Sequence, residues 1–325
     1  MRLNENKELF QDAVIATSQQ KGIPEIYVEK DYWVTYALYN IYKNEIGKKT
    51  VFKGGTALLK CFGLIQRFSE DIDLVILREK NETGNQLKNK IKKISKCISD
   101  VLPEIEIDGI TNKVGMIRKT VHNYQRIFTG HFGQVRDSII IESTWLGHFE
   151  PYTTTQVSSF IYEMMLQNKQ QALIDEYEMN PFEVLVLNPK RTLCEKIMSL
   201  VHFSQTQDPI NNLKNKIRHT YDIHLMLKDK NIYSFFQSKK FDAMFLRVAN
   251  DDIASFKNNN EWLVNHPATA IIFSETADTW NKIKNVYTDS FKELVFGELP
   301  DETELLKTLV AVADKLKTIE WNIKL

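Results

Sequence analysis

The sequence predicts an α+β protein in which a mixed α/β half is followed by a mainly helical half. In the first half, short apolar runs typical of strands alternate with glycines and amphipathic stretches. From Pro189 to the C-terminus, apolar residues recur mostly at helical spacing. The chain has 325 residues, 43% of them hydrophobic, which suits two domains with a sizeable core. We expect one domain over residues 1–188 and a helical domain over residues 189–325.

The first half opens with two predicted helices, over residues 5–20 and Glu25–Tyr42. Val51–Lys53 has the pattern of a short strand, and a pair of glycines and the helix-like segment TALLKCF follow it. The apolar run Ile72–Leu77 predicts a second strand. Residues 84–100 predict an amphipathic helix with one apolar stripe and many lysines on its other faces. Further strands are predicted at Ile105–Ile107, Lys119–Phe128, Ser138–Ser143 and Phe182–Leu187. Pro189 suits the first turn of the helix that opens the second half, because that turn does not use its first N–H groups.

Composition and charge argue against several classes of protein. The 42 Lys and Arg residues balance the 42 Asp and Glu residues, so general charge attraction to nucleic acid is not expected, although a local basic surface remains open. No apolar run approaches the roughly 20 residues that span a membrane, and the N-terminus lacks the apolar centre of a signal peptide. The three cysteines show no paired spacing. We therefore expect a cytoplasmic protein with reduced thiols and no membrane partner.

Two carboxylates in the segment VFKGGTALLKCFGLIQRFSEDIDLVIL, residues 51–77, indicate a metal site. Asp71 and Asp73 point to the same face of a strand, because side chains alternate with a period of two. Their repulsion calls for a counter-charge, and a hard divalent cation such as Mg²⁺ or Mn²⁺ supplies it. An Asp-x-Asp pair alone is more often a solvated strand edge, but the apolar residues around this pair require burial.

A phosphate site is predicted next to these carboxylates. Gly54 and Gly55 lie between a strand and a helix, where a phosphate can approach backbone N–H groups at the positive end of the helix dipole. Thr56 and Ser69 add hydroxyl donors. A glycine pair alone is usually a turn. Together with a metal-binding carboxylate pair in one strand–helix–strand unit, it indicates phosphoryl or nucleotidyl transfer.

The segment GGTALLKCFGLIQRFSEDIDL resembles the nucleotidyltransferase motif of the polymerase-β superfamily. More narrowly, it resembles the AbiEii/AbiGii toxin family, in which Gly-Gly-Thr-x-Leu leads into Arg-Phe-Ser-x-Asp-x-Asp. The segments VEKDYWV (28–34), LCEKIMSL (193–200) and IRHTYDIHLM (217–226) are similar to other motifs of that family, so the resemblance covers roughly residues 25–228. Fifteen residues separate Gly55 from Asp71, a longer spacing than in polymerase-β relatives generally, but one that suits this subgroup.

The resemblance implies a polymerase-β-like fold and three further site residues. Glu142 would be a third metal ligand beside Asp71 and Asp73; the alternative is a strand-end charge. Lys196 would contact nucleotide phosphates; the alternative is a surface lysine with an extended side chain. Asp222 would position Lys196 or act as a base; the alternative is an i,i+4 salt bridge with Arg218. The helical domain would thereby complete the active-site cleft.

The resemblance also implies a function. It indicates a metal-dependent nucleotidyltransferase that moves an NMP from an NTP to an RNA acceptor such as tRNA, as the toxin of a type IV system with a cognate antitoxin. Two alternatives remain open: transfer to a small molecule or a protein hydroxyl, and a catalytically silent module that binds a nucleotide or a partner. Basic residues throughout the chain could contact RNA phosphates, although solvated helix faces explain many of them equally well. They are Lys88, Lys90, Lys92, Lys93, Lys96, Lys113, Arg118, Lys119, Arg126, Arg136, Lys190, Arg191, Lys214, Lys216 and Arg218.

Overall fold

The structure is a computed structural model that describes residues 1–69, 71–130, 136–255 and 260–325. The chain packs into two compact units. Unit 1 contains Met1–Gly63, Phe68–Trp145 and Tyr152–Leu187. Unit 2 contains Asn188–Leu325 together with two short segments from the first half of the sequence, Leu64–Arg67 and Leu146–Pro151. No helix among the described residues is long and apolar enough to cross a membrane.

Unit 1 is built on a mixed β-sheet. Its strands are β1 (Thr50–Lys53), β2 (Ile72–Ile76), β3 (Glu104–Ile105), β4 (Ile117–His122), β5 (Ile139–Thr144), β6 (Tyr152–Val157) and β7 (Phe182–Leu187). In the described part of the chain these seven strands form one sheet in the order β3-β4-β5-β2-β1-β7-β6. The pairs β1–β7 and β2–β5 are parallel, and the other neighbours are antiparallel. Buried aliphatic residues of β1, β2, β5 and β7 form the centre of the core.

Helices accompany this sheet within unit 1. They are α1 (Lys7–Lys21), α2 (Glu25–Tyr42), α3 (Gly54–Phe62), α4 (Gly84–Ser99), α5 (Phe160–Gln167) and α6 (Gln171–Glu176), with 3₁₀ turns at Leu3–Glu5 and Gly47–Lys49. Helix α4 buries Leu87, Ile91, Ile94 and Ile98, the stripe that the sequence predicts. A Thr83–Gln86 capping box fixes where α4 begins.

Unit 2 is helical wherever it has regular structure among the described residues. Its helices are α7 (Pro189–Ser204), α8 (Pro209–Asn215), α9 (Ile217–Lys228), α10 (Lys230–Gln237), α11 (Lys239–Ser255), α12 (Ile271–Ser274), α13 (Thr276–Thr288) and α14 (Glu302–Lys317), with 3₁₀ turns at Glu261–Val264, Pro267–Thr269 and Phe291–Leu294. Pro189 occupies the first turn of α7, and the Asn188 side chain caps that helix. The predicted α+β class, a mixed sheet flanked by helices and followed by a mainly helical part, is confirmed.

Several predicted strand boundaries are wrong for local reasons. The strand predicted at Lys119–Phe128 begins earlier and ends at His122, because the Glu29 carboxylate accepts hydrogen bonds from the backbone N–H groups of Ile127 and Phe128. The strand predicted at Ile105–Ile107 is shorter, since the Ile107 N–H bonds the Thr111 hydroxyl in a turn. The sequence did not predict β6, α5 or α6. Most of β6 is exposed and threonine-rich, so it lacks the apolar alternation that indicates a strand.

The charged residues of the VEKDYWV segment are buried in α2. The Asp31 carboxylate accepts an ion-paired hydrogen bond from Lys60 of α3 and another, at 2.8 Å, from the backbone N–H of Phe160. Glu29 holds the segment after β4, and the Lys30 ammonium donates to the Arg136 backbone carbonyl. This motif therefore ties helix α2 to four other parts of unit 1, a structural role that gives each buried charge a partner.

Candidate active site

A row of four charged residues crosses the centre of the sheet. Lys53 of β1 pairs in register with Asp73 of β2, Asp73 pairs with Glu142 of β5, and Glu142 pairs with Lys119 of β4. Residues directly opposite each other on paired strands share a face, so all four side chains emerge on the same side of the sheet. The row therefore places two carboxylates next to each other, with one lysine at each end.

Asp73 is the residue of this row whose ionised form is most strongly disfavoured. Burial raises the pKa of Asp73 to about 7, with further contributions from the negative charges of Asp71 and Glu142. Lys53 and Lys119 lower the pKa but offset only part of the increase. The Lys119 ammonium lies 3.4 Å from a Glu142 carboxylate oxygen, so its attraction is directed mainly to Glu142. A group of carboxylates with too little local positive charge has the electrostatics of a cation site.

Gly54 opens α3 directly beside Asp73. Its φ is +83°, a left-handed conformation that glycine adopts without cost. A Cβ at this position would overlap the Asp73 carboxylate oxygen Oδ2 and lie 3.3 Å from its Cγ. The first glycine of the pair therefore brings the backbone of the strand-to-helix turn against the carboxylate. Gly55 follows inside the first turn of α3, where backbone N–H groups have no partner within the helix.

The segment that carries Asp71 is fixed by Thr56. Thr56 is buried, and its hydroxyl donates to the Asp71 backbone carbonyl at 2.6 Å and lies 3.0 Å from the Ser69 hydroxyl oxygen. Thr56 thus supports the site through the backbone. Asp71 lies just before β2 and not within it, and its Oδ1 is 3.7 Å from the Arg136 guanidinium. The Lys30 bond to the Arg136 carbonyl holds the backbone from which this guanidinium extends.

The donors available for a metal ion are carboxylate oxygens, which suit Mg²⁺ or Mn²⁺. Asp71, Asp73 and Glu142 are close enough for the two other charges to raise the pKa of Asp73. Asp71 Oδ1 is buried and accepts no hydrogen bond. Within the described ranges, no group of three His, Cys, Asp or Glu side chains is already arranged to hold a metal ion. The donor chemistry fits a hard divalent cation, and the coordination shell is not preformed.

A second charged cluster lies within unit 2. The Arg67 guanidinium donates to both oxygens of Asp222, from Nε to Oδ1 at 2.7 Å and from Nη2 to Oδ2 at 2.8 Å. Lys196 of α7 donates to the same Oδ2 at 2.7 Å, and its Nζ lies 3.5 Å from Nδ1 of His219. The side chains of Asp222, Arg67 and Lys196 are 0%, 4% and 7% exposed. Two cations thus share one buried anion.

The protonation states within this cluster follow from its geometry. Burial alone would raise the pKa of Asp222, but Arg67 and Lys196 outweigh burial and hold that pKa well below its usual range. Burial, and then the charge of Lys196, lower the pKa of His219 well below its usual range. With Asp222 ionised and His219 neutral, the cluster carries a net charge of +1. A carboxylate with so low a pKa is a poor general base, so the contacts favour a positioning role for Asp222.

The family model described as "Nucleotidyl transferase AbiEii toxin, Type IV TA system" matches residues 36–315, most of the chain. The chain belongs to the AbiEii nucleotidyltransferase toxin family. A similar solved structure is MenT4, a nucleotidyltransferase toxin from Mycobacterium tuberculosis H37Rv. It is 14% identical with a TM-score of 0.47, and the match covers 92% of this chain and 98% of that one. No curated protein matches the sequence.

Membership in the AbiEii family makes the chain a nucleotidyltransferase of the type IV toxin–antitoxin class, with an NTP as substrate and an antitoxin as partner. The structure of this AbiEii chain brings together, within unit 1, the predicted residues Gly54, Asp71, Asp73 and Glu142. Within unit 2 it brings together Lys196 and Asp222.

Two predicted alternatives are wrong. Glu142 is not at a strand end; it is the fourth residue of the six-residue strand β5. The carboxylate of Asp222 pairs with Arg67 and Lys196 and not with Arg218, so it does not form the local i,i+4 pair.

Sequence reasoning did not place four cations of this AbiEii chain beside the carboxylates, and it predicted Lys119 and Arg136 only as potential RNA contacts. Lys53 and Lys119 flank the carboxylates, Arg136 approaches Asp71, and Arg67 binds Asp222. One signal was present, since Arg67 is part of the Arg-Phe-Ser-x-Asp-x-Asp segment. The other three depend on strand register or on a loop, which the sequence does not encode locally.

Proposed function

We propose that this protein is a metal-dependent nucleotidyltransferase toxin that transfers an NMP from an NTP to an RNA acceptor, with tRNA as the expected class. The observation that carries the proposal is the pairing of Asp73 with Glu142 on adjacent parallel strands, with Asp71 beside them and Gly54 against Asp73. Carboxylates that repel one another, next to a backbone able to approach a phosphate, suit the positioning and charge neutralisation that this transfer needs.

In this proposal, Asp71, Asp73 and Glu142 hold the divalent cation. When bound, Mg²⁺ or Mn²⁺ would neutralise phosphate charge and favour deprotonation of the acceptor hydroxyl. Glu142 is also available to accept the proton of that hydroxyl, because its carboxylate is partly exposed and lies 3.4 Å from the ammonium of Lys119. Lys53 and Lys119 limit the repulsion within the row and keep the carboxylates together before the cation binds.

Each unit offers its own groups that suit phosphate oxygens. Within unit 1, the N–H groups at the start of α3, in the Gly54–Gly55 turn, are donors for phosphate, and the Ser69 hydroxyl adds another. Within unit 2, Lys196 offers positive charge to nucleotide phosphate. Its ammonium has three N–H donors, of which Asp222 and His219 take two, and the charge of its cluster is +1. Thr56, also predicted as a phosphate ligand, donates its hydroxyl hydrogen bond to the backbone carbonyl of Asp71.

The charge of helix α4 favours RNA as the acceptor. This helix contains five lysines and no acidic residue in a chain whose net charge is zero. Its apolar stripe is buried, so Lys88, Lys92, Lys93 and Lys96 are exposed, and none of the four has an ion-pair partner among the described residues. Arg118 donates to Ser95 of α4 and pairs with Ser143, the neighbour of Glu142 in β5. Helix α4 therefore covers the sheet face opposite to the carboxylate row. A long polyanion can extend to this surface, whereas binding of a small-molecule acceptor does not require a basic surface there.

Labelled NTPs test the proposal directly. The protein would be incubated with each α-labelled NTP, Mg²⁺ and total bacterial RNA, with Asp71→Asn and Asp73→Asn as matched controls. We expect label in RNA of tRNA length with wild type only. Label in protein or in a small molecule would favour the alternative acceptors, and no turnover of any NTP would favour a silent binding module.

A further inference from the structure

The C-terminal part of the chain holds the segment that carries Arg67. The backbone N–H groups of Phe296 and Gly297 donate to the Gln66 carbonyl at 3.0 and 3.3 Å, and Arg67 forms an antiparallel bridge with Val295. Both sides of this contact belong to unit 2. A Cβ on Gly297 would lie 2.7 Å from the Cβ of Gln66, so only glycine allows the two backbones to approach this closely.

This contact fixes the backbone of Arg67, and the guanidinium of the same residue is held by hydrogen bonds. The Arg67 guanidinium binds Asp222 through two parallel hydrogen bonds, a geometry that orients the carboxylate as well as neutralising it. Lys196 then bonds one of the oxygens that Arg67 has oriented. Arg67 and Asp222 are 155 residues apart in the chain, and Val295–Gly297 lies further still. The position of Lys196 thus depends on a chain of contacts that ends in the C-terminal segment.

We propose that Arg67 is a positioning residue for Lys196, acting through Asp222, and that the Val295–Gly297 segment serves to hold Arg67 in place. This inference rests on the proposed contact between Lys196 and the NTP phosphates. It gives a function to the region beyond the family-like motifs, where the sequence suggests none.

The charge balance explains why a second cation is needed. Asp222 paired with Lys196 alone would be neutral, and the carboxylate would compete with a phosphate for the ammonium. Arg67 takes both carboxylate oxygens and leaves the cluster with a net charge of +1, which attracts an anion. Removing Arg67 should therefore weaken phosphate binding even though Arg67 does not touch the ligand. Because hydrogen bonds to charged groups contribute strongly, we expect a loss of roughly 10- to 100-fold.

Inorganic tripolyphosphate is a suitable probe, because it tests phosphate binding without a base or catalysis. Its Kd would be measured calorimetrically on the full-length wild type, Arg67→Gln, Lys196→Ala and the double variant, with melting temperatures recorded for each. We expect Arg67→Gln to weaken binding roughly 10- to 100-fold in the wild-type background and less than about twofold when Lys196 is already alanine. An undiminished effect in the Lys196→Ala background would overturn the positioning role, because Arg67 would then contact the phosphate itself.

Gly297→Ala provides a second test that leaves every charge in place. It should displace Gln66 and weaken tripolyphosphate binding several-fold, whereas Gly84→Ala, at a position where an added Cβ meets no atom within 4 Å, should leave binding unchanged. Wild-type affinity in Gly297→Ala would overturn the role of the C-terminal segment. If wild type neither binds tripolyphosphate nor turns over NTPs, the proposed function itself has failed; normal wild-type binding with no effect of Arg67→Gln contradicts this inference alone.

Discussion

Asp73 combines a proposed metal-binding role with a cost in stability. Its carboxylate is partly buried beside two like charges, and its pKa is raised to about 7 from the ordinary value near 4. A carboxyl group whose pKa is raised on folding binds its proton more tightly in the folded state. Its ionisation therefore destabilises the folded protein progressively as the pH rises from about 4 to above about 7. A bound divalent cation would relieve this cost.

The Asp73→Asn substitution should separate these two effects. We expect nucleotidyl transfer to fall by at least 100-fold, because the amide cannot replace a charged metal ligand. In buffer without divalent cations, the melting temperature should exceed that of wild type at pH 8 but differ little at pH 5, where Asp73 is already protonated. Asp100→Asn, an exposed site after α4, is the control and should change neither quantity. A large drop in melting temperature at both pH values would show instead that Asp73 is structural.

The strand–helix–strand unit β1–α3–β2 is the element that the sequence predicts best. Its strands are short apolar runs, its helix follows directly, and the glycine pair marks the junction, so all of its signals are local. The row Lys53–Asp73–Glu142–Lys119 was not predictable in the same way, because it depends on the register of four strands. The Arg67–Asp222 contact was missed for a similar reason, since a local partner for Asp222, Arg218, was available in the sequence.

Helix α2 buries three charged residues that its sequence pattern does not mark as buried. Glu29, Lys30 and Asp31 are consecutive charged residues, a pattern that would ordinarily face solvent, yet all three are buried. Their partners are the backbone after β4, the carbonyl of Arg136, and Lys60 with the Phe160 N–H. Each partner comes from a distant part of the chain, so no periodicity within α2 reveals the burial.

Gly54→Ala tests the junction between β1 and α3. The substitution places a side chain at a φ of +83° and against the Asp73 carboxylate, so it should abolish transfer and cost roughly 1–3 kcal/mol of stability. Gly63→Ala at the other end of α3 is the matched control. Its φ is +61° but an added Cβ meets no atom within 4 Å, so stability should fall by a similar backbone cost while transfer persists. Equal activity in the two variants would mean that contact with Asp73 does not matter. Transfer rates and denaturant midpoints provide the two measurements.

The whole molecule has no net charge, so the proposed attraction to RNA would have to come from an uneven distribution of its charges. Helix α4, with five lysines and no acidic residue, is one local concentration of positive charge. We expect RNA affinity to fall steeply with salt, and changing Lys88, Lys92, Lys93 and Lys96 to Gln should reduce the log–log slope by up to about 3, at roughly 0.7–0.9 per phosphate contact. The matched control changes four exposed lysines of unit 2 to Gln, namely Lys282, Lys292, Lys307 and Lys324. The same slope in both variants would show that α4 has no special role in RNA binding.

Bacterial growth can test the proposed role of the carboxylates and the proposed RNA acceptor together. If the acceptor is an RNA that translation needs, expression of this chain without an antitoxin should slow growth, and Asp71→Asn should remove the effect because one metal-binding charge is lost. The α4 variant should inhibit growth less than wild type, since its carboxylates are intact but its RNA binding is weakened. Growth curves at matched expression levels, confirmed by immunoblot, measure all three. A small-molecule acceptor would leave growth nearly unaffected. Equal inhibition by wild type and Asp71→Asn would contradict the proposal more deeply, because toxicity would then be independent of nucleotidyl transfer.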